Sequence, residues 1–186
     1  MTGLYPPFSP DGHTFRWERL DGLGSEETTL RWENEGWTIT GAVSRERVQY
    51  VIRTSSAWKV RQFMLFRDLE DPDLWLATDG RARWGEMNGA HRTELDGCYD
   101  IALSCTPFTS LLPIRRLQLL EGDAAEFPVV VVDPDTLGVH AETHRYTRVA
   151  SHHWRIAQGH PDNVVEFDVD QHGLALDHPG TFRRLD

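Results

Sequence analysis

The residues able to do chemistry in this chain concentrate between His91 and Leu120, in the run HRTELDGCYDIALSCTPFTSLLPIRRLQLL. It holds carboxylates at Glu94, Asp96 and Asp100, thiols at Cys98 and Cys105, and the adjacent pair Arg115-Arg116. Asp96 and Asp100 could form an acid/base couple of the kind that flanks a glycosidic bond. Asp96-Gly97, however, is a turn dipeptide, because Asp tolerates the left-handed region and Gly adopts positive φ without steric cost. Asp96 is therefore read as a turn residue. An arginine directed into a concavity would offer its planar fork to phosphate, carboxylate or sugar hydroxyls. In a strand, neighbours face opposite sides, so only one of Arg115 and Arg116 could do so. The alternative is an internal ion pair with Asp100 or Glu94.

Nine histidines raise the question of a metal or haem. His140 and His144 would share one strand face, but positions i and i+4 of a strand lie about 13 Å apart, too far to ligate one ion. His152 and His153 would face opposite sides. Solvated or hydrogen-bonded imidazoles are the expectation. Cys98 and Cys105 would sit on opposite faces of a strand, too far apart to bridge, and without a CxxC pair no zinc site is expected. Cys105 within an alternating apolar set is expected to be inert core. No G-x-S-x-G, P-loop or G-x-G-x-x-G occurs, and no cofactor is expected.

The elements that must position these residues read as strands. Tyr99, Ile101, Leu103 and Cys105 alternate with Cys98, Asp100, Ala102 and Ser104, ending at Thr106-Pro107, where proline lacks the ladder N–H. Leu112 to Leu120 reads as a second strand beginning at Pro113. Upstream, Phe15, Trp17 and Arg19 share a face, Leu20 to Glu26 reads as a loop, and Thr28–Asn34, Gly36–Val43, Arg47–Ser55 and Trp58–Arg67 read as strands. Asp79-Gly80 predicts a two-residue hairpin pairing Trp75 with Trp84. Downstream come a four-valine strand over 127–132 and a long strand, Val139–Val149, with His140, Glu142, His144, Tyr146 and Arg148 on one face. Three short strands over 152–157, 164–169 and 174–177 follow, with a final segment at 182–185. The best helical candidates are short turns near 107–112 or 122–127. About a dozen strands with short turns predict an all-β, mainly antiparallel sheet that must close, split or curl to avoid long open edges. Residues 1–12, with three prolines and two glycines, read as a loose arm, and 13–186 as one domain.

The run DGCYDIALSCTPFTSLLPIRRL, preceded by DLWLATDGRARWGEMNG and followed by VDQHGLALDHPGTFRRL, resembles the bacterial "putative glycolipid-binding" family, formerly a domain of unknown function. The resemblance extends from about Phe15 to Leu185, with TPFT-x-x-LPIRRL as its specific part. Ser110-Leu111 departs from the Asn-Thr usual in that family. The resemblance implies a long antiparallel sheet curled into a half-barrel, similar to the bacterial carriers that move lipoproteins between membranes, and a ligand in the concave face.

Composition narrows the classes further. A net charge of −10 argues against nucleic acid or anionic membrane surfaces as general partners. No run of eighteen apolar residues exists, so no membrane-spanning segment is expected, and the first fifteen residues lack the pattern of a secretory signal; a cytoplasmic location is the expectation. Seven tryptophans and eight phenylalanines suit either a dense core or a lined concavity. The leading expectation is non-catalytic binding of an amphipathic lipid or glycolipid. Its contacts are sought among Trp75, Trp84, Glu94, Asp100, Thr106, Phe108, Arg115, Arg116, His144 and Tyr146. Two alternatives stand beside it. One is an enzyme acting on a sugar or lipid intermediate with Asp100, Glu94 or His144 as acid or base. The other is a protein-interaction module using an open edge or an apolar face. The sequence sets no oligomeric state.

Overall fold

The computed structural model describes residues 4–68 and 70–185. Two sheets account for most of it. The first follows the order β13 (Asp177–His178), β14 (Phe182–Arg184), β1 (His13–Arg19), β2 (Ser25–Glu33), β3 (Gly36–Val43), β4 (Val48–Thr54), β5 (Val60–Phe66), β6 (Leu74–Thr78) and β7 (Trp84–Glu86). The second runs β12 (Val164–Asp168), β11 (His153–Gln158), β10 (Val139–Ala150), β9 (Ala124–Val132) and β8 (Asp100–Leu103). The expected all-β, mainly antiparallel half-barrel class is the class observed, with the second sheet forming the half-barrel beside the long first sheet.

Alternation lays out the strands. In β3, Trp37, Ile39, Gly41 and Val43 are buried, and in β4 Val48, Tyr50, Ile52 and Thr54 are buried. These inner faces, with Trp17, Leu30, Phe63 and Leu65, form the main core against Phe108, Leu111 and Leu112. Burying each such side chain stabilises by roughly 1.5–3 kcal/mol. A second core gathers Tyr146, Trp154, Ile156 and Phe167 from the second sheet with Tyr5 and Ile114.

Several expectations change. The sheet is not one meander: the chain breaks after β7, and β8 pairs parallel with β9. Parallel neighbours require a crossover, and it is supplied by a 3-10 turn, Phe108–Ser110, and helix α1 (Leu111–Leu117). The segment read as a strand from Leu112 is therefore largely helical. Pro113 falls in the first turn of α1, where its missing N–H has no intrahelical partner to lose. Of the two helical candidates, 107–112 is realised, while 122–127 is a turn leading into β9 at Ala124. The Asp79-Gly80 connection is wider than two residues, since Thr78 pairs with Trp84. Asp79 explains this, because its Oδ1 accepts the backbone N–H groups of Arg81 at 2.8 Å and Arg83 at 3.2 Å and stabilises a larger loop. Trp75 consequently faces Met64 of β5, not Trp84.

The arm is not loose where it is described. Tyr5 and Phe8 are buried, and Arg115 donates to the Pro6 carbonyl at 3.0 Å while its guanidinium lies over both rings. Residues 1–3 lie outside the described chain.

Gly41 is a point of steric necessity. A Cβ there would stand 2.1 Å from the ring of its cross-strand partner Tyr50. Gly41→Ala should therefore lower stability by about 1–3 kcal/mol through overpacking. The check is a lower urea midpoint with an unchanged m-value.

Candidate functional site

The signature run of the sequence places its side chains at the junction of the two sheets. Beyond β8, Leu103 donates its N–H to Thr109 Oγ1 at 3.4 Å and Phe108 donates its N–H to Thr106 Oγ1 at 3.0 Å, which holds the TPFT turn tightly against the strand end. One wall of a cavity of about 310 Å³ results, made of Ala102, Ser104, Thr106, Thr109 and Ser110. The inner face of the second sheet gives the opposite wall, with Glu142, His144 and Tyr146 of β10 and Ile156 and Gln158 of β11. Arg19 at the end of β1 and His178, Thr181 and Phe182 of the last hairpin close it.

Charge in this cavity is tightly managed. Glu142 Oε1 lies 3.0 Å from His144 Nε2, and its Oε2 lies 3.5 Å from His140 Nε2. Gly159 makes room for the carboxylate, since a Cβ there would come within 2.6 Å of it. Burial holds the His144 imidazole below its ordinary pKa, with Glu142 pulling the other way, and burial likewise lowers His178. Burial thus favours the neutral form of both rings. The cation Arg19 is flanked by Asp21 at 3.3 Å and Glu46 at 3.7 Å.

Behind the Thr106 wall lies a carboxylate that the sequence reading missed. Glu26 of β2 is only 1% exposed, and its Oε1 accepts the hydroxyls of Thr28 at 2.8 Å, Tyr50 at 2.7 Å and Thr106 at 2.5 Å. Among the described residues its buried Oε2 has no hydrogen-bond partner, nor has Oε2 of Glu46. Burial raises its pKa to about 7 against these hydrogen bonds, with Glu46 adding to the rise. Glu26 falls at the end of the stretch expected as a loop, Leu20 to Glu26, but the strand begins earlier than Thr28. Extended back to Ser25, the alternation puts Glu26 on the buried face of Thr28 and Leu30.

Of the ten candidate residues, the structure brings three to the cavity: Thr106, His144 and Tyr146. The others stand elsewhere. Asp100 is fully buried in a bidentate pair with Arg116, at 2.6 Å to its Nη2, which realises the internal ion pair. Arg115 donates to the carbonyls of Pro6 and His172. Adjacent residues of a helix stand about 100° apart, so neither arginine is thrown to the opposite side as a strand would require. Phe108 is core beside Phe15 and Trp17. Trp84 is buried and donates its indole N–H to Cys98 O at 3.0 Å, Trp75 is half-buried on β6, and Glu94 is exposed and paired with Arg92. Asp96 is paired with His91 and accepts the Trp84 backbone N–H, while Asp100 is committed to Arg116. Cys98 and Cys105 are free and buried, and burial pushes the Cys98 thiol up to about 11. Among the described residues no group of three or more His, Cys, Asp or Glu could hold a metal.

A larger volume, about 680 Å³, belongs to an open depression on the outer face of the second sheet. Its arginines Arg145 and Arg155 pair with Glu126 and Glu166, and none of the ten candidates lines it. The junction, walled by both sheets and by the signature turn, is the stronger site.

A family model described as "Putative glycolipid-binding" matches residues 14–184. The chain belongs to this family. A similar solved structure is that of a DUF1089 family protein from Pseudomonas aeruginosa, determined at 1.80 Å, with 26% identity, a TM-score of 0.69 and coverage of 97% of this chain and 95% of that one. No curated protein matches. No helix among the described residues is long and apolar enough to cross a membrane.

Glu26 makes stability depend on pH. Its pKa is about 7 in the folded chain against an ordinary 4.5, so between those values the folded state binds more protons than the unfolded. Stability should fall as pH rises through this window, by about 3 kcal/mol in all. Glu26→Gln should flatten the slope in urea unfolding between pH 5 and 8. Asp100, also raised by burial, contributes in the same sense in both proteins.

Proposed function

We propose that this protein binds an amphipathic small molecule of the glycolipid class without chemistry, with the polar head in the cavity at the sheet junction. The observation that carries the reading is the cavity itself, walled on one side by Ser104 to Ser110 of the signature and on the other by His144 and Tyr146. The family description supplies the ligand class. Concave, largely preformed sites with a few convergent polar groups are the usual form of small-molecule sites. We place the protein in the cytoplasm, a reading supported by two unbridged, buried thiols.

A second reading, proton transfer on the same ligand, has one observation in its favour. With Nε2 engaged by Glu142, the buried Nδ1 of His144 has no partner and is available as a base. The two readings separate on the fate of the extracted ligand: incubated with the wild-type protein, it should be returned unchanged under the binding reading and converted under the enzymatic one, with the conversion lost in His144→Gln.

The direct experiment is native mass spectrometry of protein purified from its own host, with extraction and identification of what is bound. A stoichiometric glycolipid is expected. Ala102→Phe, which fills the cavity from β8, should reduce retention at least about tenfold while the circular dichroism spectrum is unchanged. A clean apo mass, with no thermal stabilisation by any lipid, would count against the proposal.

A further inference from the structure

We propose that the cavity selects a sugar head group bearing no phosphate or carboxylate, and that the acyl chain leaves it over the exposed loop carrying Leu20 and Leu23. This rests on the binding reading above and adds the head-group chemistry and the path of the tail.

The head-group argument is an account of hydroxyl protons. Thr106 donates its proton to Glu26 Oε1, and Ser110 donates its own to Pro107 O at 2.8 Å. The Thr181 hydroxyl is taken up by His178, through its carbonyl at 3.1 Å and its Nδ1 at 2.8 Å. Towards the cavity these three oxygens offer lone pairs only. Glu142 adds a carboxylate, again an acceptor. The donors that remain, on Ser104, Thr109, Tyr146 and Gln158, are uncharged. Arg19, the one guanidinium in the lining, lies between Asp21 and Glu46, and burial disfavours charge on the two imidazoles. A phosphate brings only acceptors and negative charge, so here it would find uncharged donors alone, beside several acceptors, the Glu142 carboxylate and a guanidinium already paired. Buried charge without a partner costs far more than a buried hydroxyl that finds one. Sugar hydroxyls, each donor and acceptor, match the wall.

The tail argument is one of size and continuity. A cavity of about 310 Å³ stands at the lower end of the ~300–1,000 Å³ typical of ligand sites, enough for a head group but not for a head with a long chain. The loop that follows Arg19 begins at the cavity's edge, since Leu20 donates its N–H to the carbonyl of the lining residue Thr181 at 2.9 Å. Leu20 is 53% and Leu23 67% exposed. They are apolar surface next to the polar mouth, where a chain attached to a bound sugar would emerge.

Isothermal titration at pH 7.5 with n-octyl β-D-glucopyranoside below its micellar concentration, glucose, and n-octyl phosphate tests both parts. The glucoside should bind at least about tenfold tighter than either of the others. Leu20→Gln/Leu23→Gln should bring the glucoside close to glucose, and Ala102→Phe should abolish its binding. Octyl phosphate binding as tightly as the glucoside would overturn the head-group inference while leaving amphiphile binding standing. An unchanged glucoside affinity in the leucine double variant would overturn the tail path. Glucoside binding that survives Ala102→Phe lies outside the cavity and overturns both. If no probe binds the wild-type protein, the binding reading itself falls.

Discussion

The fold depends on how a buried carboxylate is satisfied. Glu26 sits in the main core, where an ionisable group costs several kcal/mol unless it is neutralised or fully hydrogen-bonded. Three hydroxyls from separate parts of the chain converge on its Oε1: Thr28 on its own strand, Tyr50 two strands away, and Thr106 at 80 residues' separation. Tyr50 reaches it only because Gly41 leaves the face of β3 bare beneath the ring. Thr106 reaches it only because the TPFT turn is held by its own backbone contacts. The Thr106 hydroxyl is thus a wall of the cavity and a tie between the two sheets. Its orientation towards the cavity is set by a group on the other side of the wall.

The arginines follow the same logic with a different outcome. Arg116 resolves the buried charge of Asp100, and removing either partner would strand the other in the core. Arg115 and Arg148 have no carboxylate within ion-pair distance among the described residues. They donate to carbonyls instead, Arg115 to Pro6 and His172, and Arg148 to Leu119 and Ser151. Both lie over the Tyr5 ring, whose hydroxyl accepts the indole N–H of Trp154 at 3.0 Å. A proline-rich segment such as 6–10 cannot donate into a sheet but does present carbonyls. Arg115 meets that need at the Pro6 carbonyl, and Arg148 holds the arm through the face of the Tyr5 ring.

Much of the first sheet was legible because its strands alternate strictly. Gly36–Val43 was read to the residue, and β4 and β5 to within two at each end. What the pattern could not give was which strands meet. Periodicity describes one face of one strand, and the parallel β8–β9 pairing depends on a crossover that the sequence disguised. Leu111 to Leu117 is too short to display a helical period, and Pro113 fits the start of a strand as readily as the first turn of a helix. The candidate site was legible in part for the same reason. Thr106 stood out by its motif, and His144 and Tyr146 by their shared strand face. Glu26, Arg19 and His178 are brought to the junction by tertiary pairing that no local signal encodes.

The junction is also where the fold leaves an opening. β8 is an edge of the second sheet, and an edge must be covered or paired. On its approach, the carbonyl of Tyr99 accepts the N–H of Val60 from the first sheet at 2.9 Å, and beyond its end Ser104 donates to Val132 O at 3.3 Å. The first of these joins the two sheets and the second extends the pairing of β8 with β9; the first sheet stays open, with β13 and β7 as its edges. Side chains from both sheets face a common space without a shared backbone ladder to fill it. Apolar residues there would collapse into core, as Phe108 and Leu111 do one step further in. The hydroxyls and Glu142 resist that collapse, since each must keep its polar contacts, and the space stays open to a polar guest.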